Sequence, residues 1–280
     1  MTESKNIIKP DYLSLTTHQL AIGFTETDII FSTGTGFIFI YNDKYYLITN
    51  WHNVTGRNPQ TGEPLSEKHA GIPNIFLTYI RIKNGNGQAK LEKIFLYEDE
   101  EMTKPKWFVH PDHKEKIDVV AIELNSNDEV VYSAINKSDF DNNIPPEVGD
   151  DCFIIGYPFE DFRYLGLPIW KRASISTEPT VNEDQLPKIL VDTATRPGLS
   201  GSPVIYQRTG IHNMTDGLLS DDSLIGRIRG FLGVYSGRIG KGEIHAQLGI
   251  VWKSKVIEEI IIGQTRGNIE FQTGKKNNGL

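Results

Sequence analysis

Arg196-Pro197-Gly198-Leu199-Ser200-Gly201-Ser202-Pro203-Val204 constrains this chain more than any other stretch. One serine stands between Gly198, two residues before it, and Gly201, directly after it. Glycines so placed let a backbone turn tightly and push a side-chain oxygen into a cleft. A serine that attacks a carbonyl also needs free N–H groups nearby to meet the developing oxyanion. Gly-x-Ser-Gly occurs in ordinary turns too, so this stretch alone leaves both a reactive serine and a plain loop open.

Two further stretches bear on that choice. The apolar run Tyr45-Tyr46-Leu47-Ile48 leads into Thr49-Asn50-Trp51-His52 and breaks at Gly56. Asp118 opens Val119-Val120-Ala121-Ile122, a β-branched run that reads as a buried strand. Singly, His52 reads equally well as a histidine at a strand end, and Asp118 as a strand cap. Jointly they supply a base and an orienting carboxylate for Ser200, in the order His52, Asp118, Ser200, with gaps of 66 and 82 residues.

With these residues in view, the chain resembles the trypsin-like (chymotrypsin-fold) serine peptidases, in their bacterial, HtrA-like form. Leu47-Ile48-Thr49-Asn50-Trp51-His52 is similar to the bacterial histidine motif. Asp118 to Ile122 is similar to the aspartate strand, and Pro197 to Val204 to the nucleophile loop. Gly34-Thr35-Gly36-Phe37 and Gly156-Tyr157-Pro158 add supporting likeness, and together the matches span roughly residues 30 to 262. His before Asp before Ser is the chain order of that fold. The resemblance implies an all-β molecule of two six-stranded antiparallel β-barrels closed by a short C-terminal helix.

Composition agrees with that architecture. Twenty-six glycines, fourteen prolines and many short β-branched runs suit frequent turns between strands. A net charge of −7, from 29 basic and 36 acidic residues, argues against nucleic acid as a partner, because phosphate binding needs clustered positive charge. The single cysteine, Cys152, excludes an internal disulfide, and its place before Phe153-Ile154-Ile155 reads as a buried small hydrophobe. No run approaches ~18 consecutive apolar residues, and Met1 to Asn6 lack the apolar core of a signal peptide. The expectation is therefore a bacterial cytoplasmic protein without a membrane partner.

The organisation expected along the chain has three parts. Residues 1–130 hold an irregular N-terminal arm, to about residue 20, and a first barrel with His52 and Asp118. Residues 131–263 hold the second barrel, with Ser200 and a terminal helix near Lys253 to Ile261. Within it, Asn213 to Arg227 reads as a polar surface loop. Residues 264–280, rich in Gly, Asn, Lys and Gln, read as a disordered tail.

The functional expectation is a serine endopeptidase acting on a peptide or protein substrate through an acyl-enzyme, with no cofactor. His52 takes the proton of Ser200, Asp118 orients His52, and the N–H groups of Gly198 and Ser200 form the oxyanion hole. The resemblance adds substrate contacts at Ala194, Thr195 and Arg196, and main-chain pairing at Tyr235, Ser236 and Gly237 in the manner of an added strand. His110-Pro111-Asp112-His113 has crude metal-ligand spacing, but without a third ligand cluster it reads as a loop, and no metal is expected. Leu199 stands where digestive members carry an aspartate that pairs with a newly freed N-terminus. Activation by such cleavage is not implied, and a latent enzyme set by a protein partner or a signal is one extension of the reading. The rival from another class is a catalytically silent peptide-binding module on the same fold.

Overall fold

The computed structural model describes residues 9–270, apart from 26–28, 66–70, 86, 126–127, 142, 159–165, 195, 215, 220, 222 and 239–246. Two antiparallel sheets dominate it. The first contains β1 (Thr17–Phe24), β2 (Ile29–Tyr41), β3 (Lys44–Thr49), β4 (Ile75–Arg81), β5 (Ala89–Phe95), β6 (Trp107–Val109) and β7 (Val120–Glu123). The second is a closed six-stranded barrel of β8 (Asp151–Gly156), β9 (Ile169–Ile175), β10 (Lys188–Asp192), β11 (Pro203–His212), β12 (Leu224–Arg238) and β13 (Leu248–Lys253). An eighth strand of the first sheet, β14 (Thr265–Arg266), comes from beyond the second barrel.

One continuous core joins the halves. Phe37, Ile48 and Ala121 of the first sheet share it with Ile155, Ile205, Val234 and Trp252 of the barrel. Helix α1 (Tyr12–Thr16) precedes β1, α2 (Trp51–Thr55) follows β3, and α3 (Lys255–Gly263) follows the barrel. Val256, Ile257, Ile260 and Ile261 of α3 are all buried in the shared core, one apolar stripe at helical spacing. Burying each such side chain contributes about 1.5–3 kcal/mol, enough to fix where the helix docks. It docks on β6 and β7, so the end of the chain returns to the first sheet.

Three sequence expectations need correction. The polar-looking start of the domain is not an arm as far as residue 20: β1 lies between β2 and β4, and its Thr17, His18 and Gln19 are buried. Polar residue types hid this strand, because burial here follows sheet position and hydrogen bonding rather than hydrophobicity; His18 Nδ1, for example, is 3.2 Å from the carbonyl of Tyr79. The tail is ordered where it begins. Thr265 and Arg266 pair with Val109 and Phe108, and Gly267 N–H donates to the Trp107 carbonyl at 3.0 Å. Residues 271–280 lie outside the described residues. The stretch 213–227 is also not loop throughout: β11 and β12 extend as a hairpin to His212 and Leu224, leaving Ile211 and Ile225 exposed across from each other.

Candidate active site

Strand register brings His52 and Asp118 together across 66 residues of chain. Thr49, at the end of β3, pairs with Val120, at the start of antiparallel β7. The residues just after one strand and just before the other therefore meet at the same sheet end. Helix α2 then sets His52. Trp51 and Val54 anchor it in the core of the first sheet, Asn50 stands at its N-cap position without a side-chain capping bond, and Gly56 ends it in the left-handed conformation with φ 66°.

Asp118 is 1% exposed, and its carboxylate is fully used. Oδ1 accepts the His52 backbone N–H at 2.9 Å. Oδ2 accepts His52 Nδ1–H at 2.6 Å and the Ser236 hydroxyl at 2.5 Å. A buried carboxylate needs such partners, since an unpaired charge there would be very costly. Asn50 Nδ2 donates to the Asp118 carbonyl at 2.6 Å, fixing its backbone as well. Because Nδ1 faces an acceptor it carries the proton, and Nε2 is left as the basic nitrogen.

Ser200 lies in the turn between β10 and β11. Asn53, the residue after His52, donates from Nδ2 to the Ser200 carbonyl at 3.2 Å, and Thr35 N–H donates to it at 2.8 Å. The serine loop thus rests against the helix that carries His52. Ser200 Oγ and His52 Nε2 do not hydrogen-bond to each other, and neither has a partner among the described residues. Gly198 has φ 88°, and a Cβ there would drive into the Tyr157 carbonyl oxygen, so only glycine fits. Among the described residues the N–H groups of Gly198 and Ser200 donate to nothing.

The remaining expected residues divide. Ala194 and Arg196 are exposed beside this loop, and Thr195 lies outside the described residues. Tyr235 is not a docking position. Its N–H donates to the Ser202 carbonyl at 2.8 Å, its carbonyl accepts from Gly201 N–H at 2.9 Å, and its side chain is fully buried. Its backbone is spent on holding the serine loop; burial also pushes its phenol above the usual range. Ser236 and Gly237 sit where the register of β12 against β13 shifts, between Tyr235 and Arg238. The hydroxyl of Ser236 belongs to the aspartate, a role its sequence neighbourhood did not signal. Thr35, Thr49 and Asn53 were likewise missed as supports, although two of them flank His52 in the motif.

Other chemistry-bearing groups are engaged elsewhere. His110 uses both nitrogens: Nε2 is 3.0 Å from Glu259, and Nδ1 accepts the N–H groups of Asp112 and His113 at 3.2 Å each. It has no lone pair to spare for a metal. Cys152 is buried in the barrel core, where burial, with Asp151 and Asp150 adding to it, pushes its thiol up to about 12. Such a thiol is not a nucleophile near neutral pH. Among the described residues, no helix is long and apolar enough to cross a membrane.

No curated protein matches the sequence. Among solved structures, the active form of the Rv3671c protease from M. tuberculosis aligns with 14% identity and a TM-score of 0.45, over 92% of this chain and 85% of that one. The family model of the trypsin-like peptidase domain matches residues 34–210, well over half of the sequence, and the chain belongs to that family.

Proposed function

We propose that this protein is a serine endopeptidase in which Ser200 is the nucleophile, His52 the general base and Asp118 its orienting partner. The observation that carries the reading is the 2.6 Å contact of His52 Nδ1 with a buried, fully hydrogen-bonded Asp118. It leaves Nε2 basic on a helix whose next residue, Asn53, holds the Ser200 carbonyl. In the reaction, Ser200 Oγ forms a bond to the scissile carbonyl carbon while its proton passes to Nε2. The imidazolium so formed is stabilised by Asp118, then returns the proton to the leaving amine. Water repeats the sequence on the acyl-enzyme and frees Ser200.

The N–H groups of Gly198 and Ser200 are proposed to receive the oxyanion. Each such donor is worth about 3–4 kcal/mol, roughly a hundred- to thousandfold in rate. Ser236 and Gly237, at the register break of β12, are the proposed main-chain partners of an extended substrate, and Ala194 and Arg196 the side-chain contacts beside the scissile bond. Fluorophosphonate labelling of folded protein tests the reading. Covalent modification that disappears in Ser200→Ala supports it. An unlabelled wild type that still binds peptides would instead identify a silent binding module.

The unmade hydrogen bond between Nε2 and Ser200 Oγ supports a resting form that tightens on engagement of substrate or of a protein partner. Purified protein that turns over unfolded substrates unaided at about 1–10³ per second would rule out partner-dependent latency.

A further inference from the structure

Gly198 and Ser200, whose N–H groups donate to nothing among the described residues, have both carbonyls held by one residue of the opposite sheet. Thr35, in β2 and fully buried, donates its hydroxyl to the Gly198 carbonyl at 2.7 Å. Its backbone N–H donates to the Ser200 carbonyl at 2.8 Å. The same hydroxyl accepts Tyr157 N–H at 3.2 Å, so its hydrogen-bonding capacity is directed and its rotamer is fixed. The Thr35 carbonyl accepts the Thr49 hydroxyl at 2.8 Å, Thr49 Oγ1 accepts Asn53 Nδ2 at 2.9 Å, and Asn53 returns to the Ser200 carbonyl at 3.2 Å. The ring of bonds closes on itself.

We propose that Thr35 is a positioning residue of the oxyanion hole, its hydroxyl fixing the Gly198 peptide so that the hole is formed before substrate arrives. The proposal rests on the peptidase reading above. Its physical basis is the glycine. Position 198 admits no Cβ, yet a residue without Cβ has no side-chain restraint on its own backbone rotation. The peptides flanking Gly198 can turn over cheaply unless something outside the loop grips them. Pro197 restrains the chain on one side and buried Leu199 anchors it on the other. Among the described residues, the Gly198 carbonyl itself has only the Thr35 hydroxyl. A donor that is preorganised costs no reorganisation during the reaction, and one that must first be turned into place does.

The closing experiment compares Thr35→Val, Thr35→Ala and Thr35→Ser with wild type, using a peptide substrate, fluorophosphonate labelling and a peptide boronate as tetrahedral-adduct probe. Thermal unfolding of each variant confirms which are folded. Valine and alanine are expected to lower kcat ten- to a thousandfold with KM changed less than threefold. Boronate affinity should fall in parallel with kcat/KM. Serine, which keeps the hydroxyl, is expected to stay within about fivefold of wild type. The shape of the pH profile should not change, because the base is untouched. Alanine supplies the comparison if valine does not fold. If neither is folded, Thr35→Cys, close in size but a far weaker donor, takes their place, and a folded cysteine variant with wild-type kcat and boronate affinity would overturn the proposal. So would a folded valine or alanine variant with wild-type kcat and boronate affinity, or a folded serine variant as impaired as alanine. Wild type inert toward both substrate and fluorophosphonate would overturn the peptidase reading itself, and this inference with it.

Discussion

Ser236 donates its hydroxyl to Asp118 Oδ2 at 2.5 Å, across the boundary between the barrel and the first sheet. Asp118 stands just before β7 of the first sheet, and the serine lies in the long β12 of the barrel. The bond therefore ties the two halves together at the point where the proposed proton transfer is organised. It also shares the oxygen that holds His52 Nδ1. A change in one bond will be felt by the other.

Ser236→Ala should accordingly reduce kcat/KM by about five- to thirtyfold, or about 1–2 kcal/mol, the usual worth of one hydrogen bond to a charged group that retains other donors. The fall should lie in kcat, since the backbone proposed to meet the substrate is unchanged. Steady-state kinetics on one peptide decides it. A loss confined to KM would place the serine in substrate binding alone.

Asp118→Asn keeps the shape of the group but offers an N–H where His52 Nδ1–H now donates. The imidazole then favours the tautomer with its proton on Nε2, which cannot accept from Ser200. A loss in kcat of about 10⁴-fold is expected, with little change in KM. Single-turnover acylation by an activated ester, followed against pH, measures it. Retained acylation would show that Asp118 is a structural anchor only.

Much of this site could be read along the chain because its parts are local. The glycines around Ser200 and the Thr-Asn-x-His run are short motifs, each imposed by backbone needs within a few residues. The supports were less legible. Thr35 and Ser236 act through bonds to residues more than a hundred positions away, and a lone hydroxyl in a strand carries no sign of its distant partner. Tyr235 misled for a related reason. The likeness of its strand to the family's substrate-pairing segment suggested a docking position, while register decides that its backbone is consumed by Gly201 and Ser202. At the fold level, apolar runs marked most strands, but β1 escaped because Thr17, His18 and Gln19 are buried polar residues. Strand β14 escaped because two residues are too few to show a period.

That last strand has a testable role. Besides the pairing with β6, Arg266 places its guanidinium 4.8 Å from the centre of the Phe108 ring and donates to the Pro105 carbonyl at 3.1 Å. Gly267 covers Trp107, a fully buried residue under the first sheet. Deleting residues 264–280 should expose part of that indole and cost about 2–3 kcal/mol, a fall of several degrees in Tm. Thermal unfolding with and without the segment measures this. An unchanged Tm would mean that the strand contributes nothing to stability.

The buried His18 predicts how stability responds to acid. Burial, the largest cause, pulls its pKa from 6.5 down to about 4, against a smaller opposing pull from the Tyr79 carbonyl. Its Nε2 is buried without a hydrogen-bond partner, so a proton there would be charged and unpaired. Above pH 6.5 the ring is neutral in both folded and unfolded chains. As pH falls below 6.5 the unfolded chain takes up a proton that the folded one refuses, and unfolding becomes progressively favoured. Near pH 4 the folded ring also protonates and the effect levels off. The full difference amounts to about 3 kcal/mol lost between pH 6.5 and 4. His18→Gln, which keeps a donor for the Tyr79 carbonyl but does not titrate, should flatten that part of the stability curve. Denaturant unfolding of both proteins at pH 7 and pH 4.5 checks it. Equal losses of stability in the two would show that the acid sensitivity arises elsewhere in the fold.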